Sequence, residues 1–394
     1  MEFPHAKRMD GFKTLIFSEL SAYKHFKISE GAKMIDLSIG SPDLAPPDFI
    51  RETIASMSKS HDQYGYTLTG INEFDEAVAE YYSRKHSITL NPIKEVMLSM
   101  GSQDALVHIP MVFCNPDDYV LVPDPGYTAY ETGISMAEAK AYYMPLREEN
   151  HFLPDLNAIP PHIADQTSVM ILNFPGNPVP VQATASFYEE AVQFAKKHRI
   201  LIVHDFAYGE LYYDEKKPMS FLAAPGAMDV GVETNSLSKS FNMAGCRVGY
   251  VAGNAGVIQS ICQMKSNLDY GVFKPIQLAA ARALIEGDWY TQEARAIYQK
   301  RRDAFLTHTR SFGWNIPAPE GGMFVWAPVP ANQTSMEFCQ LLMDEAHVVV
   351  TPGHAFGPTG EGYVRIALVQ DADLLIEAAE RINKLSLFRS PSLL

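Results

Sequence analysis

Between residues 95 and 253 the sequence alternates two hydrophobic periods, and this alternation narrows the possible folds more than any other feature. "EVMLSM" is a short apolar run, and "GSQDALVHIPMVF" after it has apolar residues at helical spacing. "YVLVP" and "SVMILNF" are again short runs, "ASFYEEAVQFAKKH" returns to helical spacing, and "ILIVHD", "VGVETNS" and "VGYVAG" close the series. Short continuous apolar runs bounded by turn residues read as strands buried on both faces. Strands alternating with helices predict an α/β fold, a mainly parallel central sheet with helices on both faces.

The pattern changes after this series. A helical zone is expected from about residue 254 to 312, including "EARAIYQKRRDAFLTHTRSF", whose Arg and Lys residues read as a solvated face. "GGMFVWAPV", "VVVTPG" and "GYVRIAL" then read as a short sheet, closed by the helix "DADLLIEAAERINKL". A chain of 394 residues exceeds what one core usually holds, so a second, smaller α+β domain is expected. The expected division is an N-terminal arm with part of the small domain (1–40), a large ligand-binding domain (41–285) and a small C-terminal domain (286–394).

Charge and composition exclude several function classes. The formal net charge of −14 argues against a general nucleic-acid partner, which needs a basic footprint. The four cysteines are scattered without a CxxC pair, so neither disulfides nor a zinc site is expected, and a reducing cytoplasm is the expected location. The twelve histidines form no HExxH pair, so no metal is expected. "MEFPHAKRMDGFK" lacks the apolar segment of a signal peptide, and no apolar run is long enough for a membrane partner. No GxxxxGK[ST] phosphate loop is present.

In open parallel sheets, ligands bind beyond the carboxyl ends of the strands. Gly101 with Ser102, Asn177, Asp205, and Ser236 with Lys239 all fall at such ends. Each alone has an ordinary reading: Gly-Ser before a helix as a cap, Asp after a strand as a turn residue, a lysine as a solvated charge. Together, on one expected edge, they read as a site. A nucleophilic lysine must be neutral, which costs about 4.6 kcal/mol at pH 7 from a reference pKa of ~10.4. Burial or a neighbouring cation such as Arg247, eight residues on, meets that demand. Ser236 and Arg247 also suit a phosphate, and Ser102 with the amides of the following helix adds an anion-binding N-terminus.

"SLSKSFNMAGCRVGY" resembles the cofactor-lysine segment of class I/II aminotransferases, the aspartate-aminotransferase-like branch of fold type I pyridoxal-phosphate enzymes. "NFPGNP" is similar to that family's Asn-x-Pro-x-Asn-Pro loop, "HDFAYGELYYD" to its Asp-x-x-Tyr segment, "GYVRIAL" to its substrate-arginine strand, and "LSIGSPD" to the segment bringing a glycine to the substrate. The resemblance runs from about residue 30 to about residue 385. It implies pyridoxal 5'-phosphate carried by Lys239 through an imine, with Lys239 also moving a proton on the substrate. It implies that Asp205 pairs with the pyridine nitrogen, and that Tyr208 and Asn177 hydrogen-bond the phenolic oxygen. Ser102, Gln103, Ser236 and Arg247 would bind phosphate, with Ser238 a weaker candidate. Tyr127 would stack on the ring, its ordinary alternative being a core aromatic. Arg365 would take the substrate α-carboxylate, with the Gly40 segment closing over it and Asn177 beside it.

Two stretches depart from the family pattern. The loop reads Asn177-Pro178-Val179-Pro180 where Asn-Pro-Thr-Gly is usual, so Pro180 removes an amide. "YGYTLTG" resembles the segment whose tyrosine reaches the partner subunit's phosphate, but it is one residue short, leaving both Tyr64 and Tyr66 as candidates. The implied activity is an aminotransferase moving an amino group from an L-amino acid to a 2-oxo acid, with 2-oxoglutarate the expected acceptor, by a ping-pong mechanism in a homodimer. The alternative is a C–S β-lyase of the same fold.

Overall fold

Seven strands form the central sheet because their residues alternate between two apolar layers. The computed structural model describes residues 3–12 and 15–388. In chain order, β1 is Ile35–Asp36, β2 Val96–Ser99, β3 Tyr119–Asp124, β4 Lys140–Pro145, β5 Thr167–Leu172 and β6 Leu201–Asp205. They are followed by β7 Gly231–Ser236, β8 Gly249–Gly253, β9 Phe324–Pro328, β10 Val348–Val349, β11 Thr351–Pro352 and β12 Tyr363–Ala367. Leu98, Leu121, Met170 and Ile202 pack into one buried cluster. Their chain neighbours Met97, Val120, Val169 and Val203 pack into another on the opposite face, as the two-residue period of a strand requires.

The sheet order is β2-β8-β7-β6-β5-β3-β4. Every neighbouring pair is parallel except those made by β8, which runs antiparallel to β2 and β7. The strands expected from the sequence are present, and so is one that was not, β4. This edge strand pairs only with β3 and keeps most of its residues partly exposed, and its run "AYYM" lacks the Val, Ile and Leu of a strand buried on both faces. Helix boundaries follow local signals: the Ala185–His198 helix starts where the Thr184 side chain accepts from the Phe187 amide.

The second apolar centre gathers Leu37, Phe324, Val350, Ile366 and Leu375. Around it, β11, β12 and β9 form a three-stranded antiparallel sheet, and β1 pairs in parallel with β10. The Asp288–Ser311 helix joins the two centres, with Tyr290 packing into the large-sheet cluster and Tyr298 and Phe305 into the small one. The expectation of a solvated basic face on this helix is corrected here. Arg301 and Arg302 are only 2% and 4% exposed. Arg301 pairs with Asp43 and Arg302 with Asp214. A helix spanning two cores is covered on several sides, and the carboxylates that neutralise it come from distant segments that a local pattern does not reveal. Among the described residues, no helix is long and apolar enough to cross a membrane.

Candidate active site

Strand register assembles the site. Ser236 and Ser99 both lie opposite Gly249. Two residues before Gly249, Arg247 therefore meets Gly101, two residues past Ser99. Gly101 has φ +79°, and a Cβ there would lie 2.7 Å from Arg247 Nη2, so only glycine lets the guanidinium cross this helix start. Arg247 donates to the carbonyls of Ala244 (3.0 Å) and Met100 (3.4 Å). The Ser102–Phe113 helix begins here with no side chain capping its leading amides, which leaves an electropositive end for an anion.

Asp205 ends β6 opposite Thr234 of β7, five residues before Lys239. It is 4% exposed. Tyr130 donates its hydroxyl to Asp205 Oδ2 at 2.9 Å. Burial pushes this carboxyl up, while the Tyr130 and Ala207 hydrogen bonds and the charges of His204 and Lys239 pull it back. Lys239 donates from Nζ to the Gly40 carbonyl at 2.8 Å. Burial first, then the Arg365 and Arg247 cations, push its pKa down to about 8 against the opposing pull of Asp205. The fold thus lowers the cost of the neutral lysine that the chemistry demands, without making it the main form at pH 7.

A relay of amides runs from Asp205 toward β12. Asn173 donates to the Asp205 carbonyl (2.7 Å) and accepts from the Asn177 amide (2.9 Å). Asn177 Oδ1 accepts from Arg365 Nη1 at 2.9 Å. Arg365 Nη2 donates to the Ser38 carbonyl at 2.8 Å. The guanidinium lies between the rings of Phe324 (4.3 Å) and Phe356 (4.8 Å). Burial pushes its pKa down to about 10. Its Nε has no partner, and no described carboxylate pairs with it. A buried guanidinium facing only neutral groups is built to receive an anion.

Of the residues singled out from the sequence, Gly40, Ser102, Tyr127, Asn177, Asp205, Tyr208, Lys239 and Arg365 line one cavity of about 350 Å³. Arg247 stands behind its helix-start wall. Gln103 lines an adjoining cavity of about 770 Å³ that shares Tyr127, whose hydroxyl donates to Gln103 Oε1 at 3.4 Å. Ser236 and Ser238 are buried beside the cavity without lining it. Ser236 Oγ accepts from the Ser238 amide, and Ser238 Oγ has no partner. Tyr64 and Tyr66 are 65% and 83% exposed and do not reach this cavity. The loop holding Pro180 is pinned all the same: Gly176 donates to the Val179 carbonyl and Glu320 to the Pro180 carbonyl.

Sequence reasoning missed Tyr130, Asn173, Ser38 and the two phenylalanines around Arg365. Tyr130 follows Tyr127 by three residues, one turn along, and Asn173 is the first residue of the very motif that yielded Asn177. Both signals were present. Nothing near Arg365 in sequence points to Ser38, Phe324 or Phe356.

Comparison with known proteins gives the family and the fold. The family model described as "Aminotransferase class I and II" matches residues 32–382. An LL-diaminopimelate aminotransferase of Maridesulfovibrio salexigens is 42% identical, over 98% of this chain and 100% of its own. An L-glutamine--4-(methylsulfanyl)-2-oxobutanoate aminotransferase of Bacillus subtilis is 40% identical, over 100% of this chain and 99% of its own. The substrate-bound BacF structure from Bacillus subtilis is similar with a TM-score of 0.94 and 39% identity, covering 100% of both chains.

Proposed function

The chain belongs to the class I and II aminotransferases and is a pyridoxal-phosphate-dependent aminotransferase, and from that premise we propose that it moves the amino group of an L-amino acid to 2-oxoglutarate by a ping-pong reaction at the cavity around Lys239. The donor set fits the cofactor. An electropositive helix start beside Arg247 suits its phosphate, a buried carboxylate suits its ring nitrogen, and a lysine with a depressed pKa suits its carbonyl. When bound, pyridoxal phosphate supplies an electron sink for the carbanion left when a proton leaves the substrate Cα.

The residues then divide the work. Arg247, Ser102 and the first helix amides hold phosphate, with Ser236, Ser238 and Gln103 in support. Asp205, whose carboxylate form the Tyr130 hydrogen bond favours against burial, would hold positive charge at the ring nitrogen. Tyr208 and Asn177 would hydrogen-bond the phenolic oxygen, and Tyr127 would cover the ring. Arg365 grips the α-carboxylate shared by donor and acceptor. Lys239 takes the Cα proton, for which a pKa near 8 is suited. The observation that carries this reading is the convergence of Lys239 and Arg365 on Gly40. Lys239 bonds its carbonyl, and a Cβ there would lie 3.9 Å from both terminal nitrogens of Arg365.

The active form we propose is a cytoplasmic homodimer in which Tyr64 or Tyr66 reaches the partner's phosphate. What supports it is an exposed aromatic group, Tyr64 with Phe273 and Tyr66 with Tyr270, at ring distances of 5.2 and 4.9 Å. A panel of amino acids assayed with 2-oxoglutarate tests the reaction through glutamate release, with LL-diaminopimelate, glutamine, methionine and alanine as the first donors. Release of ammonia and pyruvate from a sulfur amino acid, with no transfer to any 2-oxo acid, would replace this reading with the β-lyase.

A further inference from the structure

Arg301 is a buried cation outside the cavity that makes four hydrogen bonds, and the reaction as derived above makes no use of it. Its Nη1 and Nη2 grip Asp43 Oδ1 and Oδ2 at 2.9 and 2.7 Å, a two-pronged pair. Nη1 also reaches the Leu368 carbonyl at 3.1 Å, and Nη2 reaches Asp371 at 3.3 Å. Leu368 lies three residues beyond Arg365, at the end of the strand that carries it. Asp43 lies three residues beyond Gly40. One buried guanidinium therefore ties the segment passing over the cavity to the strand that presents the carboxylate-binding arginine.

The rest of that segment is held in the same manner. At its near end the Ser38 carbonyl accepts from Arg365, and Leu37 exchanges backbone hydrogen bonds with Val349 and Ala367. At its far end Tyr290, from the same helix as Arg301, donates to the Ala45 carbonyl at 2.6 Å and accepts from Asn242, three residues after Lys239. Between the anchors, Ile39 and Gly40 bridge the cavity with no regular secondary structure. Such a span has a definite position only if both ends do.

We propose that Asp43 and Arg301 are positioning residues for substrate carboxylate capture: their paired fork sets the height of the Ser38–Gly40 span over Arg365, and so the affinity for amino acid and 2-oxo acid alike. The inference rests on the reading of Arg365 as the carboxylate site. Neither residue touches substrate. They act through the span, whose Ser38 carbonyl shares the Arg365 guanidinium with the incoming carboxylate. A fork of two charge-assisted bonds fixes an angle as well as a distance, which a lysine at 301 does not. Small displacements of a positioned group are expressed as lost binding and orientation.

The test uses the full-length holoenzyme and reads KM, kcat, cofactor affinity and Tm together. Asp43→Asn and Arg301→Lys each raise KM for donor and acceptor in parallel by about tenfold, the size expected for loosening a charge-assisted contact. Saturated kcat and cofactor affinity change by much less than KM, because the phosphate end is untouched and the span meets Lys239 through one bond, to the Gly40 carbonyl. Asp371→Asn, at an exposed carboxylate on the same guanidinium, leaves all four quantities as in wild type. A merely structural role lowers Tm or cofactor occupancy and leaves KM alone, and that result in a folded Asp43→Asn enzyme overturns the proposal. If Asp43→Asn does not fold, Tyr290→Phe decides in its place. It removes the Ala45 tether, together with the bond the same hydroxyl accepts from Asn242, and leaves Arg301 in place; a parallel KM rise for both substrates supports the proposal while an unchanged KM overturns it. Arg365→Lys, measured alongside, separates the two readings. If it too leaves both KM values unchanged, the carboxylate assignment fails rather than the anchor alone.

Discussion

At the cofactor end of the cavity Asp205, Lys239 and Arg247 flank strands along one edge of a single sheet, whereas at the carboxylate end the groups come from segments as much as 327 residues apart. Asp205, Lys239 and Arg247 are set by the register of β6, β7 and β8, three adjacent strands packed on both faces. Arg365 sits on a three-stranded sheet and meets Ser38, Asn177 and Thr351 through side-chain hydrogen bonds. The first end is stiff and suits a resident cofactor. The second is a set of tethers around an arginine, which suits ligands that come and go with every half-reaction. The difference teaches that grip and turnover are assigned to separate architectures.

The sharpest way to break that comparison is at Lys239, where the two ends meet through Gly40. Lys239→Ala removes the proposed covalent attachment point and proton acceptor, so turnover should fall at least on the order of a thousandfold. Borohydride treatment followed by denaturation should leave the cofactor on the wild-type chain and release it from the variant. Cofactor retained on the variant chain would show that another lysine carries it. The Arg365→Ala variant should leave cofactor attachment intact and reduce kcat/KM for every donor and acceptor by about 3 kcal/mol, roughly a hundredfold. It should also reveal how the two ends are coupled. Arg365 is the second cause, after burial, of the depressed Lys239 pKa. Without this cation Lys239 stays protonated to higher pH, so the apoenzyme's rate of cofactor capture, which rises as Lys239 loses its proton near pH 8, should rise at a higher pH in the variant. An unshifted profile would mean that burial and the Arg247 cation set the lysine without Arg365.

This contrast also explains what could be read in advance. The sheet, the helices between its strands, and Lys239, Asp205 and Arg247 were legible because each is specified within a few residues: a strand end, a turn, a helix start. Two features of the same kind were still overlooked, the Tyr130 one turn past Tyr127 and the Asn173 opening its own motif. Edge strand β4 was hidden because its half-exposed run, "AYYM", lacks the Val, Ile and Leu that mark a strand buried on both faces. The anchors of the carboxylate end were illegible for a different reason. Arg301 and Arg302 sit in a run of charges that looks solvated, and only the three-dimensional arrival of Asp43 and Asp214 makes them interior. Local sequence carries the period of an element, but not which distant carboxylate will neutralise it.

The smallest expected effect lies at Tyr130, and it asks whether the cofactor end is stiff because of its strands alone. Asp205 already has a fixed main chain, paired with β7 and bonded by Asn173. Its carboxylate is a different matter, because burial drives it toward the neutral acid, and Tyr130 is the first of the groups that oppose this. Tyr130→Phe keeps the ring and its edge contact with Tyr127 but deletes the one side-chain hydroxyl bonded to Asp205. The Asp205 pKa must then rise. Below that pKa the carboxyl is protonated and no longer holds positive charge at the ring nitrogen, so the acid limb of the kcat/KM profile should move to higher pH in the variant. Well above the limb the carboxylate is ionised in both proteins, and only the lost hydrogen bond to a charged group remains, on the order of 1.5 kcal/mol or about tenfold in rate. A variant with wild-type rate and an unmoved acid limb would show that the strands and the Asn173 bond suffice to hold Asp205. A moved limb with a near-wild-type plateau would show that Tyr130 acts on the charge of Asp205 rather than on its place.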